Sequence, residues 1–129
     1  MIAYGEPIKA WVSEKTGYTF GPADQAIGYT KDGVIRAGIV FQHWNGADVE
    51  LTAAGDEFPR SLLRAAYRYA VGQLGCRRVT FKTPADHAKA IETDIRLGAR
   101  LEGVQRGFYA DGRDALVFGL LKEDYPYHG

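Results

Sequence analysis

Few residues here have the type and spacing for catalysis. The three histidines stand at positions 43, 87 and 128, and no two have the helical spacing that pairs imidazoles on a metal. No metal is therefore expected. Cys76 is the only cysteine, which excludes an internal disulfide and a thiolate cluster. It enters a strand-like stretch, where a small core residue is its ordinary role and a nucleophile the rarer one. No Walker loop, GxGxxG loop or GxSxG turn is present. His43, near the end of a β-rich run, is of the residue type suited to acid–base work at neutral pH, although a turn histidine beside Trp44 explains it equally. Arg60, Arg64 and Arg68 are four apart and form a basic stripe on a helix. A solvated arginine face gives the same stripe.

The chain of 129 residues is 46% hydrophobic and 25% charged, ordinary globular usage. That predicts one domain over residues 1–129, large enough to bury about two thirds of its unfolded surface. Disorder, collagen and coiled coil are excluded. Sixteen basic and sixteen acidic residues cancel. A general nucleic-acid or membrane binder carries a basic excess, and none is present. Zero net charge favours self-association, so a homodimer is expected. Residues 1–7 lack a basic region followed by an apolar run, and no apolar stretch reaches about 18 residues. With the lone cysteine, this predicts a soluble, cytoplasmic protein without membrane contact.

The elements that must position these residues read as follows. Ile8, Trp11 and Val12 predict a short helix, broken by Gly17, Gly21 and Pro22. Residues 26–30, 34–43 and 49–54 read as strands, joined by Asp32-Gly33 and Asn45-Gly46 turns. They predict an antiparallel meander. Leu62, Leu63, Ala66, Tyr67, Ala70, Val71 and Leu74 share a helical face, with Pro59 at its start and Gly75 past its end. Residues 78–82 read as a strand, parallel to 49–54 if the two pair. Pro84 ends it. A second helix is predicted over 85–97, with Ala88, Ile91 and Ile95 inward and Gly98 as a left-handed cap. Strands over 99–104 and 115–121 flank Asp111-Gly112. The order α, β, β, β, α, β, α, β, β predicts an α+β domain with one mixed sheet covered by helices.

That order resembles the GNAT acyltransferase superfamily, and four stretches over residues 26–122 carry the resemblance. One is the meander ending in Val49-Glu50-Leu51-Thr52-Ala53-Ala54. Another is Pro59-Arg60-Ser61-Leu62-Leu63, similar to the opening of the helix after the family's pyrophosphate loop. A third is Pro84-Ala85-Asp86-His87-Ala88-Lys89-Ala90, with His87 eleven residues before Gly98. The last, Leu97-Gly98-Ala99-Arg100-Leu101-Glu102-Gly103, resembles the Leu-Gly-Phe-x-x-Glu-Gly phrase of the ribosomal-protein N-terminal acetyltransferase branch. The departures are specific. Residues 54–59 keep one glycine of the phosphate loop and add Asp56, Glu57 and Pro59, which lacks a donor N–H. Helix capping is the plain role for the two acids. His87 replaces the usual Asn, Ala99 replaces Phe, and Asp94 stands where a tyrosine often serves as acid. The helical region before the first predicted strand is shortened to about 25 residues.

The resemblance implies a mixed sheet whose middle parallel strands splay apart, with acetyl-CoA between them and an amine as acceptor: a small molecule, a protein or a nucleobase. Leu51, Thr52 and Ala53 would bind the pantetheine arm through their backbone. Arg60 and Ser61 would meet phosphate at the helix start, and His87 would touch the cofactor arm unless Asp86 simply caps its helix. Glu50 and then His43 are the implied bases, and Tyr109 the implied acid or substrate contact. Plain readings are an outward charge, a turn residue and an edge aromatic. Asp94 is a poor acid unless its carboxyl pKa is strongly raised. The compactness resembles small GNAT-like proteins of bacteriophages and prophages. Two functions follow: an acetyl-CoA-dependent N-acyltransferase, or a GNAT-like binding or accessory protein without transfer chemistry, which acids in the phosphate loop would favour. Nucleic-acid modification would need Arg64, Arg68, Arg77, Arg78 and Lys82 to converge.

Overall fold

The computed structural model describes residues 1–125. His128 and the end of the aromatic tail lie outside the described residues. The elements run β1 (Ile2–Tyr4), α1 (Glu6–Thr16), β2 (Gln25–Lys31), β3 (Val34–Gln42), β4 (Asp48–Gly55) and α2 (Arg60–Tyr67). A π-helical segment (Arg68–Gln73) continues α2, followed by β5 (Arg78–Pro84), α3 (Ala88–Arg96), β6 (Arg100–Gln105) and β7 (Ala115–Leu121). The strands form one seven-stranded sheet in the order β1-β2-β3-β4-β5-β7-β6. Every neighbouring pair is antiparallel except β4–β5, which is parallel. The predicted α+β class, the meander and the parallel pair are all present.

Helices cover both faces. Ile8 and Val12 of α1 are buried with Ala26 and Val40. Gly38 makes that approach possible, because a Cβ there would lie 2.5 Å from Val12 Cγ2. On the other face, Leu62, Ala66 and Ala70 of α2 and its extension pack against Ile39, Phe41, Val49 and Val79. Inward and outward residues alternate along the strands, so β4 and β5 present different side chains to the two helical layers.

Three expectations need correction. β1 was not anticipated, since three residues are too short to show alternation. The helix after β4 is α-helical only to Tyr67, after which Leu74 N donates to the Tyr69 carbonyl at 2.9 Å, a π-type spacing. Finally, α3 starts at Ala88 rather than 85, because residue 87 caps it: His87 Nδ1 accepts from Ala90 N at 3.2 Å. Asp86 points instead toward Arg113 at 3.4 Å. The resulting phase turns Ile91 and Leu97 inward and leaves Ile95 60% exposed, against the predicted inner face.

Candidate active site

The parallel ladder between β4 and β5 runs only from the Asp48↔Arg78 pair to the Leu51↔Phe81 pair. Beyond it, β4 continues to Gly55 against β3, and β5 continues to Pro84 against β7. The two inner edges therefore diverge, and the backbone of residues 52–55 faces an opening instead of a strand. Gly55 helps to turn the chain there, with φ at 107° and the Arg36 carbonyl 2.3 Å from where a Cβ would stand. A cavity of about 600 Å³ fills the opening.

Alternation divides the cavity wall. Glu50, Thr52, Thr80 and Lys82 share the α1 face, whereas Leu51, Ala53, Phe81 and Thr83 share the α2–α3 face. All eight line the cavity, so it passes through the sheet. On the α1 side its mouth includes Tyr18, His43, Glu50, Lys82 and Phe108; on the other side it includes Phe58, Leu63, His87, Ala90 and Leu97.

The α1-side mouth is built around Glu50. Its Oε2 lies 2.8 Å from His43 Nδ1 and 4.0 Å from Lys82 Nζ. His43 occupies the left-handed region, φ 56°, where β3 leaves the sheet; this turns its ring back toward Glu50. The Lys82 ammonium also sits 4.7 Å from the Phe108 ring centroid, a cation–π contact. Glu50 is thus a half-buried side chain held between an imidazole and an ammonium.

Asp94, Thr83 and Tyr109 also line the cavity, with Tyr18 near Tyr109. Thr83 Oγ1 donates to Asp94 Oδ2 at 2.5 Å. Burial pushes the Asp94 carboxyl up to about 6, with the Thr83 hydrogen bond and nearby His87 pulling the other way. Burial, then the neighbouring Tyr18, pushes the Tyr109 phenol up to about 12. The Tyr18 phenol is also raised by burial, and its hydroxyl is buried with no hydrogen-bond partner among the described residues.

The α2 start lies beside the other mouth. Pro59 is its N-cap residue and no side chain caps it. Leu62 N and Leu63 N donate to the Pro59 carbonyl at 3.0 and 3.2 Å, so the Ser61 amide lies ahead of the first helical hydrogen bonds. Glu57 reaches toward Lys31, at 3.9 Å, rather than over the helix start. A second cavity of about 120 Å³ lies between α2 and α3, lined by Arg60, Leu63, Thr93, Arg96 and Leu97. The arginine stripe is not uniformly solvated, because Arg64 Nε is buried without a hydrogen-bond partner among the described residues. The basic groove fails to form. Arg78 is tied to Asp48 and Glu102 at 3.2 and 2.7 Å, and it alternates onto the sheet face opposite α2.

Sequence comparison finds no matching family model and no matching curated protein. Comparison of folds is decisive. A mutant form of the spermidine/spermine N-acetyltransferase SpeG from Vibrio cholerae superposes with a TM-score of 0.77 at 13% identity, over 97% of this chain and 96% of that one. The ribosomal-protein-S18-alanine N-acetyltransferase from Escherichia coli gives 0.66 at 20% identity, over 100% and 96%. The chain has the GNAT acetyltransferase fold. A further structure of this fold matches with a TM-score of 0.67 at 19% identity, and this chain spans 64% of its length.

Within the GNAT fold, the sequence-selected residues gather well. Glu50, His43, Tyr109, Leu51, Thr52, Ala53 and His87 all line the large cavity, and Arg60 lines the small one. Ser61 is exposed at the helix start, outside both linings. Sequence reasoning missed Tyr18, which follows a glycine in a stretch without periodicity, and Phe108, which shows no pattern. Lys82 was placed only in a basic groove. Asp94 was set aside for want of a raised pKa, and burial supplies one. Cys76, taken as a core residue, is buried, and burial raises its thiol. Among the described residues no helix is long and apolar enough to cross a membrane.

Proposed function

We propose that the chain is an acyl-CoA-dependent N-acyltransferase that moves an acetyl group to an amine. The observation that carries this reading is the divergence of β4 and β5 past Leu51 and Phe81, with a cavity running through the sheet. A donor on one face and an acceptor on the other meet only there. Donor and acceptor held this way react as one complex, which lowers the barrier by several kcal/mol.

A CoA thioester suits the residues of the α2–α3 side. The free backbone edge at Thr52 and Ala53, beside Leu51, matches an extended amide-bearing arm that pairs like an added strand. Arg60 and the Ser61 amide suit phosphate, and His87 lines the channel between them. When bound, a thioester supplies an activated acyl group. The chain's own residues then handle protons. Glu50, oriented by His43, takes the proton from the acceptor amine. Tyr109 donates a hydrogen bond to the acyl oxygen or the acceptor. A soluble cytoplasmic homodimer accompanies this reading, as does kinship with the ribosomal-protein branch or small phage-type members. The acceptor stays open among a small amine, a protein amine and a nucleobase.

The rival is a GNAT-like binding protein without chemistry. It requires Asp56 or Glu57 to occupy the helix start, whereas Glu57 leans toward Lys31 and no side chain caps α2. Calorimetric titration with acetyl-CoA tests the proposal. Micromolar binding is expected; no binding at millimolar acetyl-CoA by the folded protein would reject it in favour of the rival.

A further inference from the structure

We propose that the acceptor is a free α-amino acid with an apolar side chain, held by its carboxylate on Lys82 while its nitrogen meets Glu50. The inference rests on the transferase reading above and names the acceptor class for the same cavity.

The position of Lys82 is the first ground. It follows Phe81, the last β5 residue of the parallel ladder, so it stands where the gap begins. Alternation puts it on the α1 face with Thr80 and Glu50. Its side chain is 24% exposed, and its Nζ lies 4.0 Å from Glu50 Oε2, beyond hydrogen-bond reach. Its other described contact is the Phe108 ring, at 4.7 Å. An ammonium held this way lacks an oxygen acceptor. Glu50 must receive the amine, so the group that answers Lys82 has to be an acid close to that nitrogen. The ammonium and carboxylate of an α-amino acid share one carbon. Set between Glu50 and Lys82, they replace one long pair with two short ones. Gln42 stands opposite Glu50 across β3 and β4 and lines the same cavity. Its Oε1 accepts from Thr52 Oγ1 at 2.8 Å, which leaves the amide nitrogen to donate to a ligand oxygen.

Charge balance is the second ground. Lys15, Lys82, Lys89 and Arg113 line the cavity against the carboxyls of Glu50 and Asp94. A polyamine needs a carboxylate for each ammonium, and beside Glu50 it would meet Lys82. A peptide N-terminus or a nucleobase carries no carboxylate next to its nitrogen and would leave Lys82 unanswered.

The rest of the mouth is aromatic. Tyr18 and Lys82 flank the Phe108 ring, with 6.0 Å between the Tyr18 and Phe108 centroids. Tyr109 meets Phe108 edge-on at 5.1 Å, and all three rings line the cavity. Such a wall suits a hydrocarbon or aromatic side chain.

The amino acid arrives as its zwitterion. Its ammonium gives one proton to Glu50, and the freed lone pair attacks the thioester carbon. A carbon–nitrogen bond forms as the carbon–sulfur bond breaks. The electron pair of the broken bond stays on sulfur, and a second nitrogen proton ends on that sulfur. Glu50 returns its proton to solvent. The carboxylate keeps its charge throughout, so Lys82 positions the substrate without reacting.

Calorimetry on protein saturated with free CoA tests this without turnover. The probes are L-phenylalanine, L-phenylalaninamide, 2-phenylethylamine and spermidine. L-Phenylalanine should bind at least about tenfold more tightly than each of the others, which lack the carboxylate. Lys82→Met keeps an apolar stem against Phe108. It should weaken L-phenylalanine about tenfold and leave 2-phenylethylamine within about twofold, and Lys82→Arg should restore most of the loss. Circular dichroism checks that both variants fold. Amide, amine or spermidine bound as tightly as the amino acid, or no binding of L-phenylalanine, overturns the proposal and leaves the transferase reading intact. An equal loss for amino acid and amine in Lys82→Met overturns it as well. Failure of CoA itself to bind wild type rejects both.

Discussion

Leu51 faces Phe81 across the last pair of the parallel β4–β5 ladder, and the cavity opens immediately beyond them. The side chains on that wall alternate between a carboxylate-and-imidazole mouth and an apolar channel leading to a helix start. The first prediction concerns the channel. Arg60→Ala should weaken acetyl-CoA binding about tenfold, the loss of one charged hydrogen bond at an exposed position. Calorimetry at two salt concentrations checks it: the deficit should shrink as salt rises.

Glu50→Gln should lower kcat for acetyl transfer by about 100- to 1,000-fold, because the amide cannot take a proton. His43→Ala should lower it less, since His43 acts by orienting Glu50 across 2.8 Å. Neither change touches the helix start, so the dissociation constant for acetyl-CoA should stay within about twofold. Release of free CoA, followed with a thiol reagent, and calorimetry together separate the two effects. Equal kcat for Glu50→Gln and wild type would remove Glu50 from the mechanism.

The sequence made the strand-rich meander, both covering helices and the parallel pair readable because each has a long period or a glycine turn. Strand β7 was read without a boundary error, since its apolar run ends at polar residues on both sides. Features set by tertiary packing were less legible. The phase of α3 depends on His87 acting as cap, a role histidine rarely takes, and that phase decides whether Asp94 or Ile95 turns inward. Likewise, residue types do not show that Tyr18 meets Phe108 at 6.0 Å across about ninety positions of chain. Glu50 and His43 were named only as alternative bases, and their 2.8 Å contact became visible only in the structure.

Gly55→Ala should destabilise the fold by about 1–3 kcal/mol. The backbone there has φ at 107°, and the new methyl would meet the Arg36 carbonyl at 2.3 Å. Backbone carbonyls cannot yield as a flexible side chain can. A fall in Tm of about 5–10 °C is expected on this scale, measured by thermal unfolding. Binding of acetyl-CoA should weaken as well, because Gly55 ends the β4 edge that lines the cavity.

Lys9→Met removes a buried ammonium that donates to the carbonyls of Gly21 and Asp24 at 2.8 and 3.1 Å and pairs with Glu6 at 3.0 Å. Two carbonyls then lose a charged donor, a cost of about 2–4 kcal/mol. These bonds pin the loop between α1 and β2, which carries Tyr18. Urea unfolding should show the loss, and acetyl transfer at saturating donor should fall at a temperature where the variant is still folded. Unchanged stability would mean that water replaces the ammonium without penalty.

Asp94 predicts an inverted pH dependence for its share of stability. An acid whose folded pKa lies above its unfolded value binds its proton more tightly in the native state. Its contribution is therefore complete below the unfolded value of 3.8 and is lost as pH rises through about 6. The whole shift corresponds to about 3 kcal/mol, and solvent reaching the cavity reduces it to about 2 kcal/mol. Asp94→Asn carries no such charge, so the variant should be more stable than wild type at pH 7 and indistinguishable from it near pH 4. Urea unfolding at intervals between pH 4 and 7 measures the difference. A constant gap across that range would mean that Asp94 ionises normally. The expected outcome is a chain that gives up stability at neutral pH to hold a buried carboxyl against Thr83.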